Sequence, residues 1–141
     1  MRVLALQAGD LIMDIYNGPE FEVKLKSDES PVTEADEAAD AWISAGLRAA
    51  FPDVNLVTEE QSDSHSLSGH TFLIVDPLDG TKEFVHRRGD FTVNIAYVVE
   101  GVPVRGVVYA PAKRRIFYTD STGVSVAVSY THLTLPTTAI V

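Results

Sequence analysis

The sequence contains no cysteine, few basic residues and no long apolar run. Without cysteine the chain has no disulfide, thiolate metal site, iron–sulfur cluster or cysteine nucleophile. Eleven Lys and Arg against twenty Asp and Glu give a net charge of −9, which disfavours a nucleic-acid partner. The apolar runs are far shorter than the roughly 18 residues of a membrane span. With no signal-like segment at its start, the chain is expected without stable membrane insertion, in the cytoplasm or peripheral to the inner membrane.

The residues that are present have the composition of one globular domain. Of 141 residues, 45% are hydrophobic and 22% are charged, which is enough for one modest core. Helical periodicity predicts helices over residues 3–17 and 33–51. Later segments rich in β-branched and aromatic residues, at 91–99, 104–109 and 115–119, predict an antiparallel meander. Because helices precede strands, we expect an α+β fold.

Acidic side chains follow two predicted strands and begin the second helix. Residues 71–75 predict a buried strand that stops at Asp76 and is followed by Asp79. Glu59 follows a short strand at 54–58, and Asp36 stands three residues after Thr33, a predicted N-cap in a capping-box-like pair. Each acid alone fits an ordinary turn or cap. Together they predict a Mg²⁺ site, because Mg²⁺ binds carboxylates, phosphate and water.

The residues between and after the two aspartates favour a tight turn. Pro77 restricts one backbone torsion, and Gly80 can adopt the positive φ that such a turn needs. We expect this turn to bring Asp76 and Asp79 to one side and to leave the Leu78 carbonyl free for a cation.

A short helix predicted from Thr81 to Phe84 would place an anion site beside the metal. The amides of Gly80 and Thr81 would point at the same spot. The Thr81 hydroxyl could orient a water, with Asp36 as the proton acceptor. Lys82 could contact phosphate, neutralise the acidic cluster or lie in solvent.

Several segments resemble motifs of the lithium-sensitive, metal-dependent inositol monophosphatase superfamily. Three of them match its N-terminal motifs: V-T-E-A-D at 32–36, T-E-E at 58–60 and D-P-L-D-G-T-K-E-F at 76–84. The G-T-K-E-F ending of the third motif looks most like bacterial 3′(2′),5′-bisphosphate nucleotidases, as do S-P-V-T at 30–33, G-D-F-T-V-N-I-A at 89–96 and G-V-V-Y-A-P at 106–111. The resemblance implies the N-terminal portion of the sugar-phosphatase αβαβα layered fold, with two helices packed on a largely antiparallel sheet.

The resemblance also implies a set of metal ligands. Glu59, Asp76 and the Leu78 carbonyl would hold one Mg²⁺, and Asp76 and Asp79 would share a second. Two or three Mg²⁺ ions and inhibition by Li⁺ are implied in the same way.

The same likeness implies a substrate site and a reaction. Gly80 and Thr81 would bind the scissile phosphate, with Lys82 as the further candidate named above, while Asp36 and Thr81 would activate the nucleophilic water. The implied substrate is a small phosphorylated metabolite, 3′-phosphoadenosine 5′-phosphate, which would lose its 3′-phosphate to give AMP.

The chain departs from the family pattern in its C-terminal part. The family is about twice as long and has a later W-D-x-A-type motif, whereas the one tryptophan here, Trp42, is followed by Ile43. Residues 1–127 therefore look like the N-terminal metal-binding half, and residues 128–141 like an atypical tail, non-native or disordered. We expect weak turnover by this chain alone and self-association through the apolar face left by the missing half.

Three alternatives remain open from the sequence. The same metal chemistry would serve an inositol monophosphatase or a fructose-1,6-bisphosphatase. An aspartyl-phosphate phosphatase is disfavoured because Asp76 and Asp79 are three residues apart rather than two. A non-catalytic cation-binding module would use the carboxylates without any reaction.

Overall fold

Two helices pack together on one face of a six-stranded sheet. The structure, a computed structural model, describes residues 1–18, 23–25, 31–61 and 70–129. Helices α1 (Arg2–Tyr16) and α2 (Glu34–Ala50) contact each other and the sheet. The sheet strands are β3 (Asn55–Thr58), β4 (Phe72–Asp79), β5 (Thr92–Val99), β6 (Val102–Ala110), β7 (Arg115–Thr119) and β8 (Ser125–Ser129). The smaller elements are β1 (Val23–Leu25), β2 (Pro31–Thr33), helix α3 (Thr81–Val85) and a 3₁₀ turn (Pro111–Lys113).

The strand order confirms the α+β class and the largely antiparallel sheet. The six strands lie in sequence order from β3 to β8, and only β3 and β4 run parallel. β1 and β2 form a separate antiparallel pair that leads into α2. One parallel pair at the edge of the sheet has a functional consequence, because the carboxyl ends of its two strands meet.

The core lies between the helices and the sheet. Helix α2 buries one apolar residue per turn, Ala35, Ala39, Ile43 and Leu47. Helix α1 lies so close to β6 that a Cβ atom on Gly9 would be 2.3 Å from the Tyr109 ring. No helix in the described ranges is both long enough and apolar enough to cross a bilayer.

Strand β4 extends beyond its predicted limit, and strand β8 was not predicted from the sequence. β4 continues through Asp79 instead of stopping after Val75, so the predicted turn is an irregular part of the strand. β8 ends at Ser129, two residues past the predicted domain boundary at 127, and pairs with β7. Residues 130–141, the rest of the predicted tail, lie outside the described residues.

Candidate active site

The parallel pairing of β3 and β4 brings Glu59 next to Asp76. Thr58 is opposite Val75, and the backbone N–H of Glu59 donates a 3.0 Å hydrogen bond to the Val75 carbonyl. Glu59 directly follows Thr58, and Asp76 directly follows Val75. The two acids therefore lie side by side where β3 ends. The predicted convergence of these two carboxylates is present in the structure, where they share a hydrogen bond.

An irregularity in β4 brings Asp79 to the same side as Asp76. Residues three apart in a regular strand point to opposite faces of a sheet. Here Asp76 pairs with Asn94 and Asp79 pairs with Thr92, so three steps on β4 match two on β5. Such a bulge inserts one residue and restores the shared face. The proline and glycine of the motif therefore act within a bulged strand and at its end, and not in a free turn.

The three carboxylates form an electrostatically strained cluster. Burial, a hydrogen bond with Glu59 and the charges of Glu59 and Asp79 raise the pKa of Asp76 from 3.8 to about 8. The buried Oδ1 atom of Asp76 accepts no hydrogen bond within the described part of the chain. A proton or a cation is needed to relieve this arrangement.

The donor set fits Mg²⁺ as a site shared with water and phosphate. Within the described ranges no three His, Asp or Glu side chains are grouped tightly enough to hold an ion by themselves. The predicted scheme does not require this, because each ion takes at most two of the carboxylates Glu59, Asp76 and Asp79. Mg²⁺ is commonly held by one or two carboxylates and completes its shell with waters and phosphate oxygens. The unsatisfied Asp76 oxygen is the feature of this chain that fits such an ion.

Asp36 and Thr81 are brought together although they are 45 residues apart. The Thr81 hydroxyl donates a 2.9 Å hydrogen bond to Asp36 Oδ1. The other oxygen, Oδ2, accepts bonds from the Thr33 N–H at 2.8 Å and the Thr33 hydroxyl at 2.7 Å. The predicted capping box is therefore confirmed, and it holds a fully buried Asp36 carboxylate with one oxygen facing Thr81.

The Thr81 hydroxyl also lies 3.2 Å from the Leu78 carbonyl. Because a hydroxyl has one hydrogen, Thr81 can donate to only one of these two oxygens at a time. Donation to Asp36 leaves the Leu78 carbonyl available to a cation.

Gly80 begins α3 in the predicted left-handed conformation. Its φ is +92°, and a Cβ atom there would lie 2.8 Å from the Asp90 carbonyl oxygen. Phe84 packs this helix against the core. The centroid of its ring lies 5.4 Å from that of Tyr16 and 5.3 Å from that of Phe91. The first amides of a helix lack intrahelical acceptors, so Gly80 and Thr81 fit the predicted anion site. Lys82, the third predicted phosphate contact, is exposed.

Sequence reasoning missed a polar residue beside the carboxylates. Asn94 Nδ2 donates to Asp79 Oδ2 at 3.2 Å, and the Thr92 hydroxyl orients the amide by donating to Asn94 Oδ1 at 2.9 Å. A single amide within the apolar alternation of Val93, Asn94 and Ile95 was the available signal.

Comparison with known proteins identifies the family of this fold and site. Residues 2–132 match the model of the inositol monophosphatase family. A 3′(2′),5′-bisphosphate nucleotidase, CysQ, of Salmonella typhimurium is 48% identical over 118 residues, which are 82% of this chain and 48% of that protein. The chain thus spans about half the length of the curated relatives it matches.

Solved structures give the same result. The IMPase of Thermotoga maritima superposes with a TM-score of 0.78 at 33% identity, covering 89% of this chain and 48% of that one. CysQ of Bacteroides thetaiotaomicron has a TM-score of 0.72 at 38% identity, covering 90% and 46%. With motifs, strand order and family model in agreement, the chain belongs to the inositol monophosphatase family.

Proposed function

We propose that this chain is the metal-binding half of a Mg²⁺-dependent phosphomonoesterase that removes the 3′-phosphate of 3′-phosphoadenosine 5′-phosphate. The observation that carries the proposal is the buried, unsatisfied Asp76 oxygen beside Glu59 and Asp79. The likeness to CysQ nucleotidases supports the choice of substrate.

Four groups would hold the metal ions. Glu59, Asp76 and the Leu78 carbonyl would bind one Mg²⁺, and Asp76 and Asp79 a second. When bound, Mg²⁺ would neutralise the acidic cluster, polarise the phosphoryl oxygens and lower the pKa of an attacking water. Competition by Li⁺ is part of the same proposal.

Asp36 and Thr81 would activate the water. Because Thr81 donates its hydrogen to Asp36, its lone pairs are free to accept a hydrogen bond from water. As the water attacks phosphorus, its proton would pass to the Thr81 oxygen, while the original Thr81 proton passes to Asp36. Thr33 keeps the carboxylate from rotating during this transfer.

The phosphate would lie at the start of α3. The amides of Gly80 and Thr81 would bind its oxygens, and the exposed Lys82 ammonium would add a positive charge. These contacts are those of a phosphate site and do not select the rest of the substrate.

An inositol monophosphatase activity is the second candidate. It is favoured by the structural likeness to the Thermotoga IMPase at 33% identity. Phosphate release from 3′-phosphoadenosine 5′-phosphate, inositol 1-phosphate and fructose 1,6-bisphosphate, measured side by side at high protein concentration, distinguishes these substrates. Accumulation of phosphate on Asp76 would instead indicate an aspartyl-phosphate mechanism.

Calorimetric titration with Mg²⁺, with and without inorganic phosphate, tests the site itself. We expect phosphate to tighten Mg²⁺ binding, because each ligand completes the site of the other. Asp79→Asn should remove this coupling, whereas Asp53→Asn, at an exposed aspartate between α2 and β3, should preserve it. Mg²⁺ binding that phosphate leaves unchanged would identify a cation-binding module and refute the phosphatase.

The side of the sheet opposite the helices has a further consequence. It carries half-exposed apolar side chains on β4, β6 and β7, namely Ile74, Val108 and Phe117. Apolar patches of this kind promote association. We propose that the chain self-associates through this open face. We also propose that the chain by itself hydrolyses substrate slowly. A location in the cytoplasm or at the inner membrane stays a prediction from the sequence.

A further inference from the structure

A partly buried hydrogen-bond network joins the turn that carries Glu59 to helix α2. The turn runs from Thr58 to Gln61, and the Gln61 N–H donates to the Thr58 carbonyl at 3.3 Å. Glu59 therefore lies on a closed four-residue turn. One side of this turn is tied to β4 through the Glu59 N–H and the Val75 carbonyl.

The Gln61 side chain ties the other side of the turn to α2. Its Nε2 atom donates to Asp40 Oδ2 at 2.7 Å and to Ser44 Oγ at 3.1 Å. Its Oε1 atom accepts from Arg48 Nη2 at 2.8 Å. Both amide hydrogens and the carbonyl are thus used, and a flipped amide would place oxygen against the Asp40 carboxylate.

Burying the Asp40 carboxylate in this network has a free-energy cost that a contact at the surface would not have. Asp40 is only 5% exposed, and Ser44 only 2%. A carboxylate buried to this degree is stable only with hydrogen-bond donors, and here a neutral amide supplies the shortest one. Asp40 also lies one helical turn after Asp36, so the network spans the two halves of the proposed site.

We propose that Gln61 and Asp40 are positioning residues, which set the distance between Glu59 on its turn and Asp36 on α2. The inference rests on the proposed metal-dependent function. Neither side chain would touch metal or substrate. Their effect passes through the Glu59 backbone, as hydrogen-bonded neighbours of metal ligands commonly determine metal affinity.

Exchanging the charged and neutral side chains of Asp40 and Gln61 distinguishes an effect of the turn's position on Mg²⁺ binding from an effect of charge alone. Gln61→Glu places two carboxylates together and should displace the turn. By charge alone, an added carboxylate near a cation site would tighten binding, so weaker binding isolates the geometric effect. Asp40→Asn combined with Gln61→Glu restores donor and acceptor with the positions reversed, and leaves the net charge unchanged.

The experiment is Mg²⁺ titration by calorimetry on the full 141-residue chain, with far-UV circular dichroism and urea unfolding in EDTA for each variant. We expect Gln61→Glu to weaken Mg²⁺ binding at least about tenfold and the double variant to recover most of it. Gln7→Glu is the matched control. Its carbonyl oxygen accepts a hydrogen bond from Trp42 between α1 and α2, so the same charge is added there, and binding should change by less than about twofold. If Gln61→Glu does not fold, Gln61→Met removes the same hydrogen bonds without a charge, and about a threefold or greater loss is expected.

The outcomes distinguish the two proposals. Failure of the wild-type chain to bind Mg²⁺ refutes the proposed function and this inference with it. Binding by the wild type that is unchanged in Gln61→Glu and Gln61→Met refutes the inference alone. A loss of stability in EDTA with unchanged Mg²⁺ affinity, or a folded double variant without recovery, assigns the network a purely structural role and also refutes it.

Discussion

Replacing Asp76 by asparagine should stabilise the folded chain at alkaline pH without divalent cations, and should abolish stabilisation by Mg²⁺. Asp76 is partly buried and hydrogen-bonded to Glu59, and Asp79 adds a further negative charge nearby. Above the pKa of Asp76 the cluster holds more negative charge than it can relieve. Asparagine removes one of these charges and keeps the shape of the side chain.

The sign and size of the effect follow from the pKa. The folded chain keeps the Asp76 proton to about pH 8, whereas the unfolded chain loses it near pH 4, so stability falls as the pH rises between these values. A full four-unit shift would correspond to about 6 kcal/mol. Because Asp76 is partly exposed, solvent screening reduces this, and we expect about 2 kcal/mol.

Urea unfolding between pH 4.5 and 8.5, in EDTA and in about 10 mM Mg²⁺, tests this prediction, because a ligand that binds the folded chain stabilises it. In EDTA the variant should match wild type at the acid end and exceed it at pH 8.5. In Mg²⁺ the order should reverse, since only the wild type retains Asp76, the proposed central ligand. Asp53→Asn should follow wild type in both series. A variant less stable than wild type at pH 8.5 in EDTA would show that Asp76 is not repelled by its neighbours.

Two further predictions concern the loop before α3 and the open face. Gly80→Ala should cost about 1–3 kcal/mol in urea unfolding, because φ is +92° and the new Cβ would meet the Asp90 carbonyl. Gly101→Ala, with positive φ but open space, should cost less, and equal losses would exclude the contact as a cause. Phe117→Ser should lower the association seen by sedimentation velocity, whereas Phe51→Ser, at a similarly exposed ring outside that face, should not. Equal effects of the two serines would exclude the open face as the interface.

The helices and the capping box could be predicted because their signals are local. The Thr33 and Asp36 pair lies within one helical turn, and apolar residues recur at helical spacing after it. For Glu59 and Asp76 the sequence predicted that the two side chains meet, but not the strand pairing that brings them together. That pairing, between the parallel strands β3 and β4, is a long-range contact that periodicity does not reveal.

The interpretation of the D-P-L-D-G segment as a free turn was wrong, because β4 continues through Asp79 with a bulge after Asp76. Three-residue spacing in an extended strand puts side chains on opposite faces, so a turn was the simplest way to bring Asp76 and Asp79 together. The bulge achieves the same result within the sheet, and Pro77 fits it because proline donates no ladder hydrogen bond. The backbone can therefore continue to pair with β5 while both carboxylates face one side.

Nothing in the sequence indicated the hydrogen-bond network around Gln61, because the network depends on how donors and acceptors are oriented in the fold. Asp40 reads as one more acid on a helix that already contains several, and Gln61 as one more polar residue after the T-E-E motif. In the fold the same two residues form a hydrogen bond that joins α2 to the turn of Glu59, and the other side of that turn is tied to β4. A metal site of the kind we propose, built from two strand ends, needs such a connection to the helix that carries the proposed proton acceptor. Specificity of this kind depends on which amide hydrogen faces which oxygen, and composition and spacing do not encode that choice.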